Sequence, residues 1–256
     1  MLLTVDAGNT NIKFGLWADN ALTAVWRTGT RADFSGDELG LLADGFLRLY
    51  GYGFKDIQAL IIASVVPPLR PALCGLSARY LKVAPIFVEA HTQKIMPVDY
   101  IDPREVGADR VVASAAAWRR YPRSLIVIDF GTATTFDCVS SEGRYLGGAI
   151  APGFRLSAAA LCQKASRLPK IEQFYSPRQA VSRDTASSLN SGLVFGYTGL
   201  VEGLVARIKS EMASDPKVIA TGGLASLFAR ETPVIEEVLP DLTMEGLKII
   251  YDEKMY

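Results

Sequence analysis

One short pattern occurs twice in this sequence, at a spacing close to half of its length. Near the N-terminus an apolar strand runs into Asp6, and a glycine and a polar turn follow it (TVDAGNTNIK). The segment LIVIDFGTATTFDCV repeats this order, with Asp129 and Gly131 in the places of Asp6 and Gly8. The two aspartates are 123 residues apart in a chain of 256. Because such a repeat indicates a duplicated unit, we expect two similar domains that each carry a strand, a tight turn and a second strand.

The residue types in the repeated pattern favour binding of phosphate and of a cation. A carboxylate at the end of a buried strand can face a metal ion, and a glycine lets the backbone approach a ligand closely. In the second copy, the hydroxyl group of Thr132 or Thr134 can donate a hydrogen bond to a phosphate oxygen. Either copy alone is equally compatible with an ordinary β-turn that has an aspartate at its edge. The repetition favours the functional interpretation, in which two hairpins face each other across a cleft and bind a nucleotide.

The rest of the pattern predicts an α/β fold with one domain at 1–117 and a second at 118–256. In the first half Ser35 is a candidate helix cap, the apolar run 59–66 has the length of a buried strand, and a helix near 69–80 follows it. These elements form a strand-helix-strand unit, as expected for a sheet with parallel strands.

Glycines mark three places in the second half. The segment GGAIAPG at 147–153 lets backbone approach a nucleotide or is only a tight connection. A predicted helix at 189–206 carries Gly192, Gly196, Gly199 and Gly203 on one face, which indicates close packing against a helix of the same chain, a partner subunit or the substrate. A predicted strand at 217–221 runs into a Gly-Gly turn where an adenosine could lie against backbone.

Composition excludes some functions and indicates a compartment. Lys+Arg and Asp+Glu are equal at 27 each, so the chain offers no overall attraction to nucleic acid or to an anionic membrane. The three cysteines form no C-x-x-C pair, which favours reduced thiols. The first residues lack the basic region of a signal peptide, and the longest apolar run is too short to span a bilayer. We therefore expect a cytoplasmic protein.

His91 is the only histidine, which makes a histidine zinc site or a Ser-His-Asp device improbable. We interpret His91 as a surface loop residue. The sequence contains no G-x-x-x-x-G-K-[ST] and no G-x-G-x-x-G that opens a helix, so ATP binding would need another kind of phosphate loop.

A second group of polar residues lies where the first half meets the second. The segment YIDPREVGADR places Tyr100 before Asp109 and Arg110, which fall in the first turn of a predicted helix. An acidic residue there is also favourable simply because it faces the positive end of the helix dipole. The combination of a tyrosine, an acid and an arginine favours a functional site.

Two Asp-x-Gly hairpins and a Gly-Gly turn resemble the superfamily of sugar kinases, Hsp70 and actin, which has a duplicated ribonuclease H-like ATPase fold. Within it, the sequence resembles the type III pantothenate kinases. The strings that carry this resemblance are DAGNTNIK at 6–13, IIASVVP at 61–67, YIDPREVGADR at 100–110, IDFGTATTFD at 128–137, GGAIAPG at 147–153 and ATGG at 220–223. GADR together with DFGTATT is specific to the family, whereas D-x-G-x-T alone indicates only the superfamily.

The resemblance implies transfer of a phosphoryl group from ATP to pantothenate, giving 4'-phosphopantothenate in the first step of coenzyme A synthesis. It implies Asp109 as the base and Asp129 as a ligand of the monovalent cation, potassium or ammonium, that the family requires. ATP would contact Thr132 and the first hairpin, where Asp6 would also organise Mg²⁺: Asp6, Ala7, Gly8, Asn9, Thr10, Asn11, Ile12 and Lys13. Pantothenate would contact Tyr100, Gly107, Ala108, Asp109, Arg110 and Thr185.

The family is dimeric with its active site near the interface, and the glycine-faced helix is our candidate for part of that contact. One departure from the family pattern is Asp184, where asparagine is expected before the threonine; it puts the local loop contacts in doubt. Two other functions stay open: a kinase of the same superfamily with another small acceptor, and a non-catalytic transcription-accessory relative. The second is disfavoured by the neutral charge and by the intact aspartates at 6, 109 and 129, since a degenerate relative should have lost one of them.

Overall fold

The computed structural model describes residues 1–165, 167–169, 171, 173–254 and 256. The strands are β1 (Leu2–Ala7), β2 (Asn11–Ala18), β3 (Ala21–Gly29), β4 (Ala59–Ser64), β5 (Pro85–Val88), β6 (Leu125–Phe130), β7 (Ala133–Val139), β8 (Tyr145–Pro152), β9 (Lys217–Gly222) and β10 (Glu237–Val238). The α-helices are α1 (Gly36–Leu49), α2 (Arg70–Leu76), α3 (Ala108–Arg120), α4 (Phe154–Lys164), α5 (Thr185–Met212), α6 (Ala225–Glu231) and α7 (Leu242–Asp252).

The chain forms two compact units, and their sheets have the same topology. The first unit contains Met1–Ala116 and Leu242–Tyr256, and the second contains Ala117–Asp241. The first sheet has the order β3-β2-β1-β4-β5, and the second has the order β10-β9-β6-β7-β8. In each, three strands form an antiparallel meander and two further strands run parallel to the first strand of the unit. The prediction of a duplicated α/β fold is confirmed.

In the first unit, alternate side chains of the central strand point to two cores. Leu3 and Val5 pack with residues of α1 and α2, such as Leu39 and Leu73. Leu2 points to the other face, where α3 and α7 supply the apolar cover. This alternation is the period-two pattern of a strand that is buried on both faces.

Helix α7 belongs to the first unit, although the sequence-based division placed its residues in the domain 118–256. Leu247 and Ile250 pack with Ile61 of β4. A Cβ atom on Gly246 would lie 2.2 Å from the carbonyl oxygen of Val112, so a glycine is needed where α7 passes α3. This association is made in three dimensions, between residues more than a hundred positions apart, and no local pattern indicates it.

The core of the second unit lies between its sheet and helices α4, α5 and α6. Ile126 and Phe136 from the hairpin pack with Val201 of α5 and Phe228 of α6. Phe130 stacks on Phe228 with ring centroids 5.0 Å apart. The hairpin that carries Asp129 is therefore fixed to a rigid core through the other face of its strands.

Three local expectations can be compared with the structure in detail. The predicted helix near 69–80 is regular only in α2, because residues Ser77–Leu81 form a π-helical turn. In the glycine-rich segment at 147–153, all residues but the last lie within β8, where a Cβ atom on Gly148 would lie 1.7 Å from the carbonyl oxygen of Phe136, and Gly153 is the N-cap of α4. On α5, Cβ atoms added to Gly192, Gly196 and Gly199 would meet no described atom within 4 Å beyond their chain neighbours and the nearby backbone of the same helix. The glycine face is thus not filled by the described part of the chain.

Candidate active site

The first hairpin turns tightly between β1 and β2, and it is tied to β3. Gly8 N donates a hydrogen bond to the Asn11 carbonyl oxygen (3.0 Å), and the Thr30 hydroxyl donates to the Gly8 carbonyl oxygen (2.6 Å). Asp6 lies opposite Lys13 in the register of the two strands. Ala7 and Ile12 are buried and anchor the strands, whereas the turn residues Asn9, Thr10 and Asn11 are exposed. The arrangement presents polar backbone and side-chain groups at the surface on a fixed frame, as a phosphate loop requires.

The start of α3 lies beside this hairpin. Val65 follows β4, and its N–H donates to the carbonyl oxygen of Ala7 (3.0 Å). A Cβ atom on Gly107 would lie 3.2 Å from Cγ1 of the same valine. Val65 thus touches both the candidate phosphate loop and the segment before Asp109. Within the first unit, the structure brings the predicted ATP residue Ala7 and the predicted acceptor residue Gly107 close together.

Asp109 is half-buried in the first turn of α3. Its Oδ1 atom accepts a hydrogen bond from the N–H of Arg110 (2.8 Å), which also donates to the carbonyl oxygen of Gly107 (3.2 Å). The first N–H groups of a helix have no intrahelical acceptor, so a carboxylate is favourable there. The Asp109 carboxylate therefore stabilises the start of α3, as the helix dipole predicts. The same hydrogen bond holds one oxygen of this half-buried carboxylate in place.

A cleft of about 350 Å³ opens next to Gly107 at the carboxyl ends of β4 and β5. Its walls carry Arg70 and His91, which the sequence did not mark as site residues. The Arg70 guanidinium lies 4.0 Å from the centroid of the Phe87 ring, and it pairs with Glu89 (3.1 Å). The lining residues are Ser64, Val65, Pro67, Arg70, Phe87, Val88, Glu89, Ala90, His91, Arg104, Glu105, Val106, Gly107 and Ala108. Gly107 and Ala108 are predicted site residues, but no pattern in the sequence indicates Arg70 or His91, because the loop after β5 joins the end of β4 only in the folded chain.

The loop between β5 and α3 is held by side chains. Gln93 is buried and donates to the carbonyl oxygens of Ala90 (3.0 Å) and Met96 (2.7 Å). Arg104 pairs with Asp102 (2.8 Å) and lowers the pKa of that carboxyl group to about 2. Tyr100 lies in this loop, does not line the cleft and is 36% exposed. Its predicted contact with an acceptor stays a prediction.

In the second unit, Asp129 lies near the end of β6 and is half-buried. In the sheet register it lies between Thr135 of β7 and Thr221 of β9. A Cβ atom on Gly222 would lie 2.4 Å from Asp129 Oδ1, and one on Gly131 would lie 3.8 Å from it. The carboxylate therefore lies against the backbone of Gly222.

The two candidate threonines of the second hairpin have different environments. Thr132 is exposed, and its carbonyl oxygen accepts a hydrogen bond from Gly153 N (3.1 Å). Thr134 is fully buried, and its hydroxyl oxygen lies 2.6 Å from the hydroxyl oxygen of Tyr197, whose pKa is raised by burial. Thr134 therefore anchors the turn to the core, and of the two threonines only Thr132 lies at the surface.

Thr185 is the first residue of α5 and is exposed. The preceding Asp184 caps the helix, since its Oδ1 atom accepts a hydrogen bond from Ser187 N (2.9 Å). Asparagine forms the same cap equally well, so the departure from the family pattern leaves the start of this helix unchanged.

The carboxylate oxygens of Asp6 and Asp129 suit hard cations such as Mg²⁺ and potassium. Among the described residues, no group of three or more His, Cys, Asp or Glu side chains is arranged to hold a metal ion. Mg²⁺ needs no such group in a kinase, because it keeps several waters and binds one or two carboxylates together with the phosphates of its nucleotide. Asp6, near the end of β1, can supply such a carboxylate, and the carboxylate oxygens of Asp129 are hard donors of the kind that a monovalent cation accepts.

Comparison with solved structures identifies the fold class. A conserved Baf family protein from Campylobacter jejuni, named as a transcriptional activator, matches with a TM-score of 0.61 at 20% identity, over 98% of each chain. MreB 5 of Spiroplasma citri, solved with AMPPNP bound, matches with a TM-score of 0.57 at 13% identity, over 99% of this chain and 96% of that one. These likenesses, together with the two equivalent sheets, define the fold of the actin, Hsp70 and sugar kinase superfamily.

Comparison of sequences identifies the family. The model of the family "Type III pantothenate kinase" matches residues 2–207. A type III pantothenate kinase from Desulfatibacillum aliphaticivorans is 49% identical over 252 residues, which cover 98% of each chain. The chain belongs to the type III pantothenate kinase family, and the resemblance stated from its motifs is confirmed.

Proposed function

We propose that Asp109 is the base with which this chain phosphorylates pantothenate. The chain is a kinase that uses ATP to form 4'-phosphopantothenate, the first step of coenzyme A synthesis, as its family membership establishes. The observation that carries the assignment of the base is the position of Asp109. Its carboxylate is held at the first turn of α3, two residues from the glycine that borders the cleft.

The chemistry fits a carboxylate that orients a hydroxyl group. Phosphoryl transfer has a loose transition state, so the protein contributes mainly positioning and neutralisation of charge. The oxygen of the acceptor's primary hydroxyl forms a bond to the γ-phosphorus while the bond to the β,γ-bridging oxygen breaks, and ADP leaves. Asp109 accepts the proton of that hydroxyl group. Arg110 can pair with a carboxylate or an amide oxygen of the acceptor.

The remaining assignments are proposals that complete this site. ATP contacts residues 6–13 and Thr132, and pantothenate contacts Tyr100, residues 107–110 and Thr185. Asp6 organises Mg²⁺, which neutralises phosphate charge when it is bound. Asp129 binds a potassium or ammonium ion, which is supported by the half-buried position of its carboxylate near the end of β6 and by its place between Thr135 and Thr221 in the sheet register.

We also propose a homodimer with its active sites near the interface, and a cytoplasmic location. The dimer is supported by the glycines on α5, whose outer face is not covered by the described residues. The location is supported by the absence of disulfides among Cys74, Cys138 and Cys162. None of the helices in the described ranges is long and apolar enough to cross a membrane.

Two alternative functions, a non-catalytic relative and a kinase for another acceptor, predict different results when ADP release is measured. The Baf family likeness, at 20% identity, shows the fold alone. A non-catalytic relative would bind nucleotide at most and would release no ADP. A kinase for another acceptor would release ADP only with that acceptor.

The first experiment is ADP release from MgATP in the presence and absence of pantothenate, in potassium, ammonium or sodium buffer. We expect turnover to need pantothenate and either potassium or ammonium, and to fall by about 10²- to 10⁴-fold in Asp109→Asn. Asn keeps the shape of the side chain and removes its basicity. Turnover of Asp109→Asn at the wild-type rate would exclude Asp109 as the base, and turnover that ignores pantothenate would exclude the acceptor.

A further inference from the structure

The Asp109 carboxylate lies directly against the backbone of Gly107. A Cβ atom on Gly107 would lie 2.5 Å from Asp109 Oδ1 and 3.6 Å from its Cγ. Real Cβ atoms essentially never approach another heavy atom within 3.0 Å. The space that a side chain at 107 would occupy is therefore taken by the carboxylate of the proposed base.

The hydrogen bonds at the start of α3 keep the carboxylate in this place. Asp109 Oδ1, the atom nearest to Gly107, is also the atom that accepts from Arg110 N. The same N–H donates to the Gly107 carbonyl oxygen. A carboxylate that rotated away from Gly107 would give up the Arg110 bond, so a methyl group at 107 and this bond cannot both persist without a shift of the helix start.

The need for glycine at 107 does not come from its backbone conformation. The glycines with positive φ are Gly51, Gly143, Gly147, Gly148 and Gly222, and Gly107 is not among them. An alanine can adopt the backbone of Gly107 without strain. Two side chains limit the space instead: Asp109, and Val65 with its Cγ1 at 3.2 Å from the added Cβ.

We propose that Gly107 is a positioning residue, whose missing side chain sets where the Asp109 carboxylate stands relative to the acceptor hydroxyl. This rests on the proposed role of Asp109 as the base. This role is separate from the proposed contact of Gly107 with pantothenate, because here Gly107 acts through the carboxylate of another residue. It also explains how a half-exposed aspartate keeps one orientation beside an open cleft.

The test is the variant Gly107→Ala, measured by steady-state kinetics and thermal unfolding. Displacement of a reacting group by about 1 Å can lower a rate about 100-fold, so we expect kcat to fall by that factor. The KM for ATP should stay within about twofold, since the atoms nearest to the added Cβ belong to Asp109 and Val65 and none belongs to residues 6–13. A kcat within about threefold of the wild type overturns the proposal.

Two controls separate the contacts of the added methyl group. Val65→Ala combined with Gly107→Ala removes the crowding at Val65 and leaves the crowding at Asp109, so kcat should stay low. Recovery of kcat in this double variant would show that Val65 alone was responsible, and would overturn the proposal. Gly45→Ala makes the same chemical change on α1, where the Cβ meets no atom of the described chain within 4 Å, and should turn over like the wild type.

A third combination distinguishes positioning from a general structural effect. If Gly107 acts through the base, Gly107→Ala should add no further loss to Asp109→Asn in single-turnover measurements. A further loss of about 100-fold in the combined variant would mean that the methyl group damages the site by another route. Should Asp109→Asn alone turn over normally, the proposed base fails, whereas a normal Gly107→Ala beside an inactive Asp109→Asn refutes only the positioning role.

Discussion

At the residue scale, two of the three aspartates with proposed roles, Asp109 and Asp129, have the same kind of neighbour. Asp109 lies against the backbone of Gly107 in the first unit, and Asp129 lies against Gly222 in the second. A carboxylate that packs on a glycine has fewer rotamers open to it than one on a free surface. In both units, backbone without a side chain determines the position of a charged group.

Gly222 provides a prediction for the proposed cation site. Its φ is +91°, and an added Cβ would lie 2.4 Å from Asp129 Oδ1 and 2.7 Å from the Phe130 carbonyl oxygen. Gly222→Ala should displace the Asp129 carboxylate and raise the potassium concentration for half-maximal activity by about tenfold or more, as supporting residues of metal ligands do. The measurements are the potassium dependence of turnover and of the midpoint of thermal unfolding.

The adjacent glycine is the matched control. A Cβ on Gly223 meets no atom of the described chain within 4 Å, so Gly223→Ala should keep the potassium dependence of the wild type. An unchanged dependence in Gly222→Ala would contradict the proposed cation site at Asp129.

The sequence predicts candidate site residues where a motif occurs twice along the chain. It is less informative about which side chains are buried, because burial depends on contacts between distant segments. Asp6 and Asp129 follow from the repeated pattern. Thr132 and Thr134 could not be separated from composition, yet strand alternation with Phe136 and Cys138 on the core side assigns Thr134 to the interior. Its partner Tyr197 lies on a helix 63 residues later, so no local signal connects the two.

At the scale of elements, helix starts are the best supported part of the sequence-based description. Ser35 was predicted as a cap, and it forms a full capping box with Glu38 at the start of α1. The segment that became β8 was less clear, because glycines are poor strand formers. Gly147 and Gly148 are needed there for positive φ and for close pairing with β7, which only the partner strand explains.

The cap of α5 gives a prediction that depends on pH. The N–H of Ser187 lowers the pKa of Asp184 below its usual value, so the charged cap stabilises the fold above that value, and the benefit is lost as the pH falls through the lowered pKa. Asp184→Ala should lower the midpoint of thermal unfolding by about 2 to 4 °C at pH 7, and by less at pH 3. Asp184→Asn should melt within about 1 °C of the wild type at pH 7, because an amide oxygen caps equally well. Equal melting of the alanine variant and the wild type at pH 7 would show that this cap is dispensable.

At the scale of the whole molecule, the glycines of α5 should affect subunit stability and dimer association in opposite directions. In an isolated subunit, Gly196→Ala on this helix of 28 residues should stabilise the fold by up to about 1 kcal/mol, since nothing in the described chain opposes a Cβ there. In a dimer that packs on this face, the methyl group overfills the contact, which costs about 1–3 kcal/mol. We therefore expect Gly196→Ala to weaken association at least about fivefold.

Sedimentation equilibrium over a range of concentrations measures this effect. Gly45→Ala serves again as the control, because it changes an exposed helix position in the other unit. Unchanged association together with greater stability would place the interface elsewhere on the molecule.

The overall architecture was predictable because the repeated Asp-x-Gly pattern indicates two similar halves, and the two sheets indeed have the same topology. What the sequence could not reveal is where the last helix packs. The apolar residues of α7 indicate a helix with a buried face, but not which sheet that face covers.

The return of α7 to the first sheet has a consequence for synthesis. The segment Ala117–Asp241 is continuous, whereas the unit around β1 is assembled from the two ends of the described chain. On the ribosome, the inserted unit can therefore complete its core while the earlier unit still lacks α7, which contributes Leu247 and Ile250 to that unit's second core. The first unit is translated first, but it can complete its second core only after α7 has been synthesised. Until then, the apolar surface around Leu2 and Ile61 is uncovered by α7, and a chaperone can bind it in the nascent chain.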